Sequence, residues 1–279
     1  MNLDAAYAEC ERITHREAKN FSYGIRLLHP PERRALSAVY ALARRIDDIG
    51  DGEMTTTQKL KALSRVRKDL GHLDPAGDDA VMVAVADGTK RYGLPIDAFG
   101  ELIDGCEMDV MGASYVSFED LLVYCRRVAG TIGRLSLAVF GSADTEGAVS
   151  RADALGVALQ LTNILRDITE DRDMGRIYLP AQDAWSVGCP ADLSGSPDQI
   201  AALVALECPR AREWFERGLE LLPLLERRAR ACVSAMAGIY HRLLERIERD
   251  PMAVTRTRVS LPPSEKLWVA VRALAGAGV

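Results

Sequence analysis

The stretch 146–171 constrains the fold more than any other. Leu155, Val157, Ala158, Leu159, Leu161, Ile164 and Leu165 would place apolar side chains on nearly every side of one helix. A helix apolar all round belongs in the middle of a protein, so other helices must enclose it. Its one polar stripe is Gln160, Asn163, Asp167 and Asp171, at spacings of three, four and four. Buried amides need partners, because each unsatisfied group costs about 1–3 kcal/mol. A ligand, or a metal ion with its waters, would supply them.

A second stretch upstream matches it. Residues 32 to 48 read as a helix whose apolar positions Leu36, Val39, Leu42 and Ile46 recur at three and four. Beside them runs the stripe Ser37, Tyr40, Arg44, Asp47 and Asp51. Asp47 and Asp51 are four apart, as are Asp167 and Asp171, so each pair shares a helix face and repels itself by about 0.2–0.5 kcal/mol. Both pairs fall at a helix C-terminus, where the helix dipole also disfavours negative charge. A pattern that is unfavourable twice over, and occurs twice, predicts a paired cation site. Carboxylates with water suit Mg²⁺, which joins one or two protein carboxylates to phosphate oxygens, so the substrate class is a phosphate ester. Arg44, Arg45, Arg166, Arg172 and Arg176 stand beside the clusters and either bind diphosphate oxygens or pair with the neighbouring acids; the sequence leaves both readings open. A third acidic stripe, Glu101, Asp104 and Glu107, has no amide or arginine companions and reads as a solvated face. His15, His29, His72 and His241 occupy no metal-ligand spacing and are assigned no chemistry.

At 279 residues, 48% hydrophobic but only 6% aromatic, the chain is expected to form one Leu/Ala/Val-packed helical domain over residues 1–279. Its net charge of −5, with acids and bases interspersed, argues against a nucleic-acid partner. The six cysteines lie far apart with no C-x-x-C and no zinc spacing, and are expected to be reduced, buried thiols of a cytoplasmic protein. The N-terminal residues carry no basic segment followed by an apolar one, so no signal peptide is expected. No stretch reaches the roughly 18 apolar residues of a spanning helix.

The remaining elements follow in order. A first helix over 4–20 is interrupted at 20–23 and closed by His29-Pro30-Pro31. Helices over 58–70 and 80–92 are expected to end on left-handed Gly71 and Gly93. Pro95 opens a helix to about 108, and Ser117-Phe-Glu-Asp120 caps a long one to about 140. Gly130 and Gly133 within the latter predict a kink, or a place where something packs against bare backbone. Ser196-Pro197-Asp198 opens a further helix, and Pro209 and Pro223 are expected to break those that follow. An Arg-rich helix over 224–249 and a short one after Pro262-Pro263 complete the chain. There is no β-alternation, tandem repeat or low-complexity linker.

Several of these segments carry a resemblance. Asn20-Phe-Ser-Tyr23, Tyr40-Ala-Leu-Ala-Arg-Arg-Ile-Asp-Asp-Ile-Gly-Asp51, Val128-Ala-Gly-Thr-Ile-Gly133 and Leu159-Gln-Leu-Thr-Asn-Ile-Leu-Arg-Asp-Ile-Thr-Glu-Asp171, followed by Gly175-Arg-Ile-Tyr-Leu-Pro180, are similar to the motifs of the squalene/phytoene synthase family. The similarity runs over nearly the whole chain, and the Gln-x-x-Asn lead-in to the second acidic motif is its most specific part. Within the family the chain is most similar to the bacterial presqualene diphosphate synthases of hopanoid biosynthesis.

The resemblance implies an all-α isoprenoid synthase bundle around a central apolar cavity, with an acidic motif on each of two facing helices. It implies about three Mg²⁺ ions, held through Asp47, Asp51, Asp167 and Asp171 with Asn163 assisting, that bind the diphosphates of two prenyl donors. Tyr40 joins the acids as a catalytic residue; Lys19, Asn20, Arg44, Gln160, Asn163, Arg166, Arg176, Tyr240 and Arg258 bind substrate, and Lys266 aligns loosely with them. The implied reaction is a head-to-head condensation. One farnesyl diphosphate ionises, the C2=C3 double bond of a second attacks its C1, and proton loss closes the cyclopropane of presqualene diphosphate. Arg127 stands where family members that complete squalene often carry tyrosine, so no NADPH step is expected. The alternatives are phytoene synthesis from two geranylgeranyl diphosphates, squalene synthesis with NADPH, and a catalytically silent helical binding protein. Ile25 and Ser37 are small enough to admit the longer chain. The first motif also reads Asp-Asp-x-x-Asp, as in head-to-tail elongating enzymes, but the surrounding motifs are those of the head-to-head family. A peripheral membrane contact for release of a lipid product stays open.

Overall fold

The computed structural model describes residues 2–18, 20–142 and 145–276. Among these residues the chain is helical throughout, with no strand. The first three helices are α1 (Leu3–Glu17), α2 (Phe21–Ile25) and α3 (Pro30–Asp51), the last entered through prolines in its first turn, where their missing N–H groups cost nothing. Next come α4 (Thr56–Leu70), α5 (Ala80–Tyr92) and α6 (Ile96–Val110). The helix α7 (Phe118–Cys125), started by the Ser117/Asp120 capping box, runs through a π turn at Arg126–Gly130 into α8 (Thr131–Phe140). The long α9 (Thr145–Asp173), short α10 (Ala181–Ser186), α11 (Pro197–Leu219), α12 (Arg227–Arg249) and α13 (Pro263–Leu274) follow.

The central position expected of α9 is observed: α11, α12, α8 and the π turn all pack on it. Val157, Ala158, Leu161 and Leu165 are buried on its successive faces. On α3, Leu42 and Ile46 are wholly buried, each contributing about 1.5–3 kcal/mol by leaving water. The two larger apolar clusters among the described residues are built on α9, α11 and α12, and on α1, α3, α5 and α6. Between them lies a cavity of about 820 Å³, walled by α3, α6, α8, α9 and α12.

Of the two glycines expected to mark a kink or a bare-backbone contact, Gly130 closes a π turn and Gly133 makes the backbone contact. The helix widens into the π turn, and a Cβ on Gly133 would run into the Ala152 carbonyl, just as one on Gly156 would run into that of Ala129. Backbone-to-backbone packing at this crossing brings Val128 and Ala129 to the cavity wall. A π turn is strained helix and recurs at functional sites.

Three expectations are corrected. Gly93 ends α5 at φ 64° as foreseen, but Gly71 stays right-handed at φ −72°, its N–H donating to the Arg67 and Lys68 carbonyls. Pro209 does not break a helix: α11 runs through it because Cys208 and Ala211 on either side are buried, and that burial offsets a lost hydrogen bond at a cost of about 3 kcal/mol. The stripe Glu101, Asp104 and Glu107 is not merely solvated. Arg134 donates to Glu101 at 2.9 Å and Arg67 to Asp104 at 2.6 Å, tying α6 to α8 and α4. All six cysteines are free and buried, as expected.

Candidate active site

The carboxylate-bearing ends of α3 and α9, 120 positions apart in the chain for the pair Asp47 and Asp167, line the mouth of the same cavity. The clearest link between them is Arg176, from the turn after α9, whose Nη1 donates to Asp51 Oδ1 at 2.8 Å. Gly175, left-handed at φ 78°, makes the turn that brings Arg176 back across the mouth.

The charges are only partly balanced. On α3, Arg44 pairs with Asp47 at 3.0 Å and Asp48 at 2.6 Å. Asp47 keeps 57% of its side-chain surface, open to the cavity, yet it lies deep enough between the walls to be pushed up to about 6, by desolvation first and by Asp51 next. On α9, Asp167 is clasped twice: Arg166 Nε donates to it at 2.8 Å and Arg258 Nε approaches at 2.9 Å. Asp171 is joined by no ion pair among the described residues, and burial, then the neighbouring Asp167, push it up to about 7.

Above these acids the stripe on α9 continues as Asn163 and Gln160, both lining the cavity. The Asn163 amide nitrogen is 3.5 Å from the Gln160 oxygen, while its own Oδ1 is buried with no hydrogen-bond partner. Tyr40, Asn20 and Tyr240 also line the cavity, Tyr240 beside Arg166 of α9, with Phe21 packed against both tyrosines at centroid distances of 6.4 and 5.9 Å. Burial pushes the Tyr40 phenol up to about 12. Arg258 and Lys266 also line the mouth. Lys19 lies outside the described residues. Of the other arginines near the clusters, Arg45 turns away to Asp79, and Arg172 donates to the Leu193 carbonyl; neither lines the cavity. Ile25 lines the cavity, but Ser37 is buried behind the wall, its carbonyl accepting from the Thr14 hydroxyl at 3.4 Å.

Sequence reasoning missed one cluster. Asp109, near the end of α6, accepts from the hydroxyls of Tyr124 and Tyr178, each at 2.9 Å, and all three line the cavity. Desolvation raises the Asp109 carboxyl, and the two phenols oppose that rise. A signal was present: Leu102, Cys106 and Asp109 continue one buried line at spacings of four and three, so the acid is on the core face, not on the Glu101 stripe. The same wall shows where Arg127 goes. That side chain points to the Met108 sulfur at 3.3 Å and is not among the residues lining the cavity, whereas Tyr124, one turn earlier, is.

The donor set fits a hard divalent cation. Asp47, Asp51, Asp167, Asp171 and the orphaned Asn163 Oδ1 are all oxygen donors, and Asp47 and Asp171 are raised by burial and then by the neighbouring acid. Among the described residues no three His, Cys, Asp or Glu side chains are gathered tightly enough to chelate one ion by themselves. Mg²⁺ does not require that, since it commonly takes one or two carboxylates and completes its shell with water and phosphate oxygens.

The chain is similar to known proteins over nearly its whole length. Residues 14–265 match the model of the squalene/phytoene synthase family. A Mycobacterium tuberculosis protein named phytoene synthase is 47% identical over 98% of this chain and 92% of its own length. A crystal structure of a dehydrosqualene synthase in complex with ligand superposes with a TM-score of 0.88 at 25% identity, covering 98% of this chain and 97% of that one. The squalene synthase HpnC from Alicyclobacillus acidocaldarius superposes with a TM-score of 0.81 at 29% identity, covering 88% of this chain and 94% of that one. The chain is therefore a member of the squalene/phytoene synthase family of head-to-head prenyl transferases, with that family's all-α fold.

Proposed function

We propose that this protein condenses two geranylgeranyl diphosphates head to head to give phytoene. The chain-length assignment is carried by the 47% identity, over nearly the full chain, to proteins named phytoene synthase. The expectation of presqualene diphosphate from two farnesyl diphosphates becomes the second reading, supported by the likeness to HpnC.

In this reading the polar mouth holds both diphosphates and the apolar interior holds both prenyl chains. Bound Mg²⁺, about three ions, supplies the charge that makes each diphosphate a leaving group. Asp47, Asp51, Asp167 and Asp171 would hold it, with Asn163 Oδ1 as a further donor. Arg44, Arg166, Arg176 and Arg258, now spent on those carboxylates, would turn to diphosphate oxygens as cations replace them. Val128, Ala129 and Leu159 exclude water from the allylic cation that ionisation leaves. The Asp109 carboxylate, fixed by two phenols on the cavity wall, faces that cation with negative charge, and Tyr40 stands opposite on α3. Loss of two diphosphates and two protons balances the formation of phytoene, so no hydride donor such as NADPH is called for. Among the described residues no helix is long and apolar enough to cross a membrane, and product release is assigned to peripheral contact with a lipid surface.

The test is purified protein with Mg²⁺ and either geranylgeranyl or farnesyl diphosphate, with and without NADPH, followed by mass spectrometry. A C40 hydrocarbon from the C20 donor, independent of NADPH, is expected. A C30 cyclopropyl diphosphate from the C15 donor, with no C40 product, would replace the first reading by the second. Turnover of neither donor would favour a silent binding protein.

A further inference from the structure

The last helix is apolar on two sides. Val269, Ala270 and Ala273 of α13 are buried, which is the face that packs on α12. Leu267, Trp268, Val271 and Leu274 point the other way and are 57, 46, 59 and 40% exposed. At 100° per residue, positions 267, 271 and 274 form one narrow outward stripe with Trp268 at its edge. A soluble surface usually scatters such residues singly; here four share one face.

One flank of this stripe is cationic. Arg272 borders it beside Trp268, and the segment 256–276 carries Arg256, Lys266 and Arg272, besides Arg258 already paired with Asp167, against one acid, Glu265. That acid is already taken by Arg242 at 3.2 Å and by Arg246. The local excess of positive charge stands out in a chain whose net charge is −5. Trp268 is held between two guanidinium groups, with Arg242 at 4.6 Å and Arg272 at 4.7 Å from its ring centroid. An apolar stripe with an edge tryptophan and flanking cations matches the interfacial region of a bilayer, where apolar groups enter the acyl boundary and cations meet anionic headgroups. The stripe also adjoins the cavity: Arg258, Val259, Ser260, Leu261 and Lys266, immediately before it, line the mouth.

We propose that the outward face of α13 is the surface by which this protein docks on an anionic lipid bilayer, placing the cavity mouth against the membrane. The purpose of the docking rests on the proposed lipid-producing function, but the surface itself does not. The probe is vesicle flotation, with phosphatidylcholine alone and with phosphatidylglycerol added, on wild type and on a Leu267→Ser, Trp268→Ser, Val271→Ser triple variant. Wild type is expected to float with the anionic vesicles, more weakly at high salt. The variant is expected to lose about tenfold or more in partitioning, with unchanged melting temperature and unchanged turnover of detergent-dispersed substrate. Wild type that stays off anionic vesicles, or a variant that floats equally well, overturns the proposal. So does a wild-type dimer, by analytical ultracentrifugation, that the substitutions convert to monomer, since a second copy would then own the face. Vesicle binding without turnover of any prenyl diphosphate would remove the proposed function and leave the docking surface standing.

Discussion

The two acidic helix ends are near copies in sequence and unlike in the fold. The end of α3 is open: Asp47 and Asp48 each keep 57% of their side-chain surface, and both are served by one arginine of their own helix, Arg44. The end of α9 is closed: Asp167 is only 15% exposed and held by Arg166 from its own helix and Arg258 from beyond α12. One turn further on, Asp171 is raised by burial and by Asp167 and has no ion pair among the described residues, whereas Asp47, raised by burial and by Asp51, has Arg44 against it. The difference teaches that spacing sets which carboxylates share a face, whereas the surrounding elements set how much positive charge each lacks. In the proposed reading, a cation entering this mouth meets at Asp171 an acid that has no ion pair among the described residues.

The strongest way to break the comparison is to remove one acid from each end. Asp51→Asn and Asp171→Asn should each cost about 10³-fold or more in kcat, with melting temperature maintained or raised. Near-normal turnover in either variant would detach that end from the metal. The closed end should next reveal itself through its outside partner. Arg258→Ala should raise KM roughly 10–100-fold, the worth of one charge-assisted hydrogen bond of about 1.5–3 kcal/mol, with a smaller change in kcat. Steady-state kinetics at saturating Mg²⁺ separates the two constants.

Titration sharpens the contrast further. Asp47 and Asp171 are raised above their ordinary value of 3.8, so in metal-free protein their contribution to stability is full below about pH 4 and is lost as pH rises through about 6 and then about 7. In the proposed reading Mg²⁺ binds the ionised forms, so its stabilisation should be larger at pH 8 than at pH 5.5, by about 2–4 °C in melting temperature. A scan with Mg²⁺ and with chelator at both pH values checks the sign; an equal shift at both would mean that these acids do not hold the ion. The smallest effect is expected at Asp48, which is exposed, paired among the described residues with Arg44 alone, and absent from the cavity wall. Asp48→Asn should change kcat/KM by less than about threefold.

Much of this site was legible because helical periodicity is local. Gln160, Asn163, Asp167 and Asp171 fall on one stripe by arithmetic alone, as do Tyr40, Arg44, Asp47 and Asp51. What could not be read was every contact made across helices. Asp109 was assigned no role, and its partners Tyr124 and Tyr178 reach it from two other segments. Arg45 and Arg172 looked equivalent to Arg44 and Arg176, yet packing turned them away. Pro209 looked like a helix end, and only burial on both sides of it let α11 continue.

The sequence by itself determined that the chain is helical, that one helix is central, and that two helices end in stacked carboxylates. Each follows from side-chain spacing along 3.6 residues per turn and from the free energy of placing apolar groups out of water. Only the tertiary structure decided that the two carboxylate ends share one cavity, which arginines reach them, that a clamped Asp109 joins them, and that α13 leaves a second apolar face outward. The physical reason is that convergence, charge compensation and exposure are properties of neighbours far apart in the chain, which no periodicity within one segment encodes.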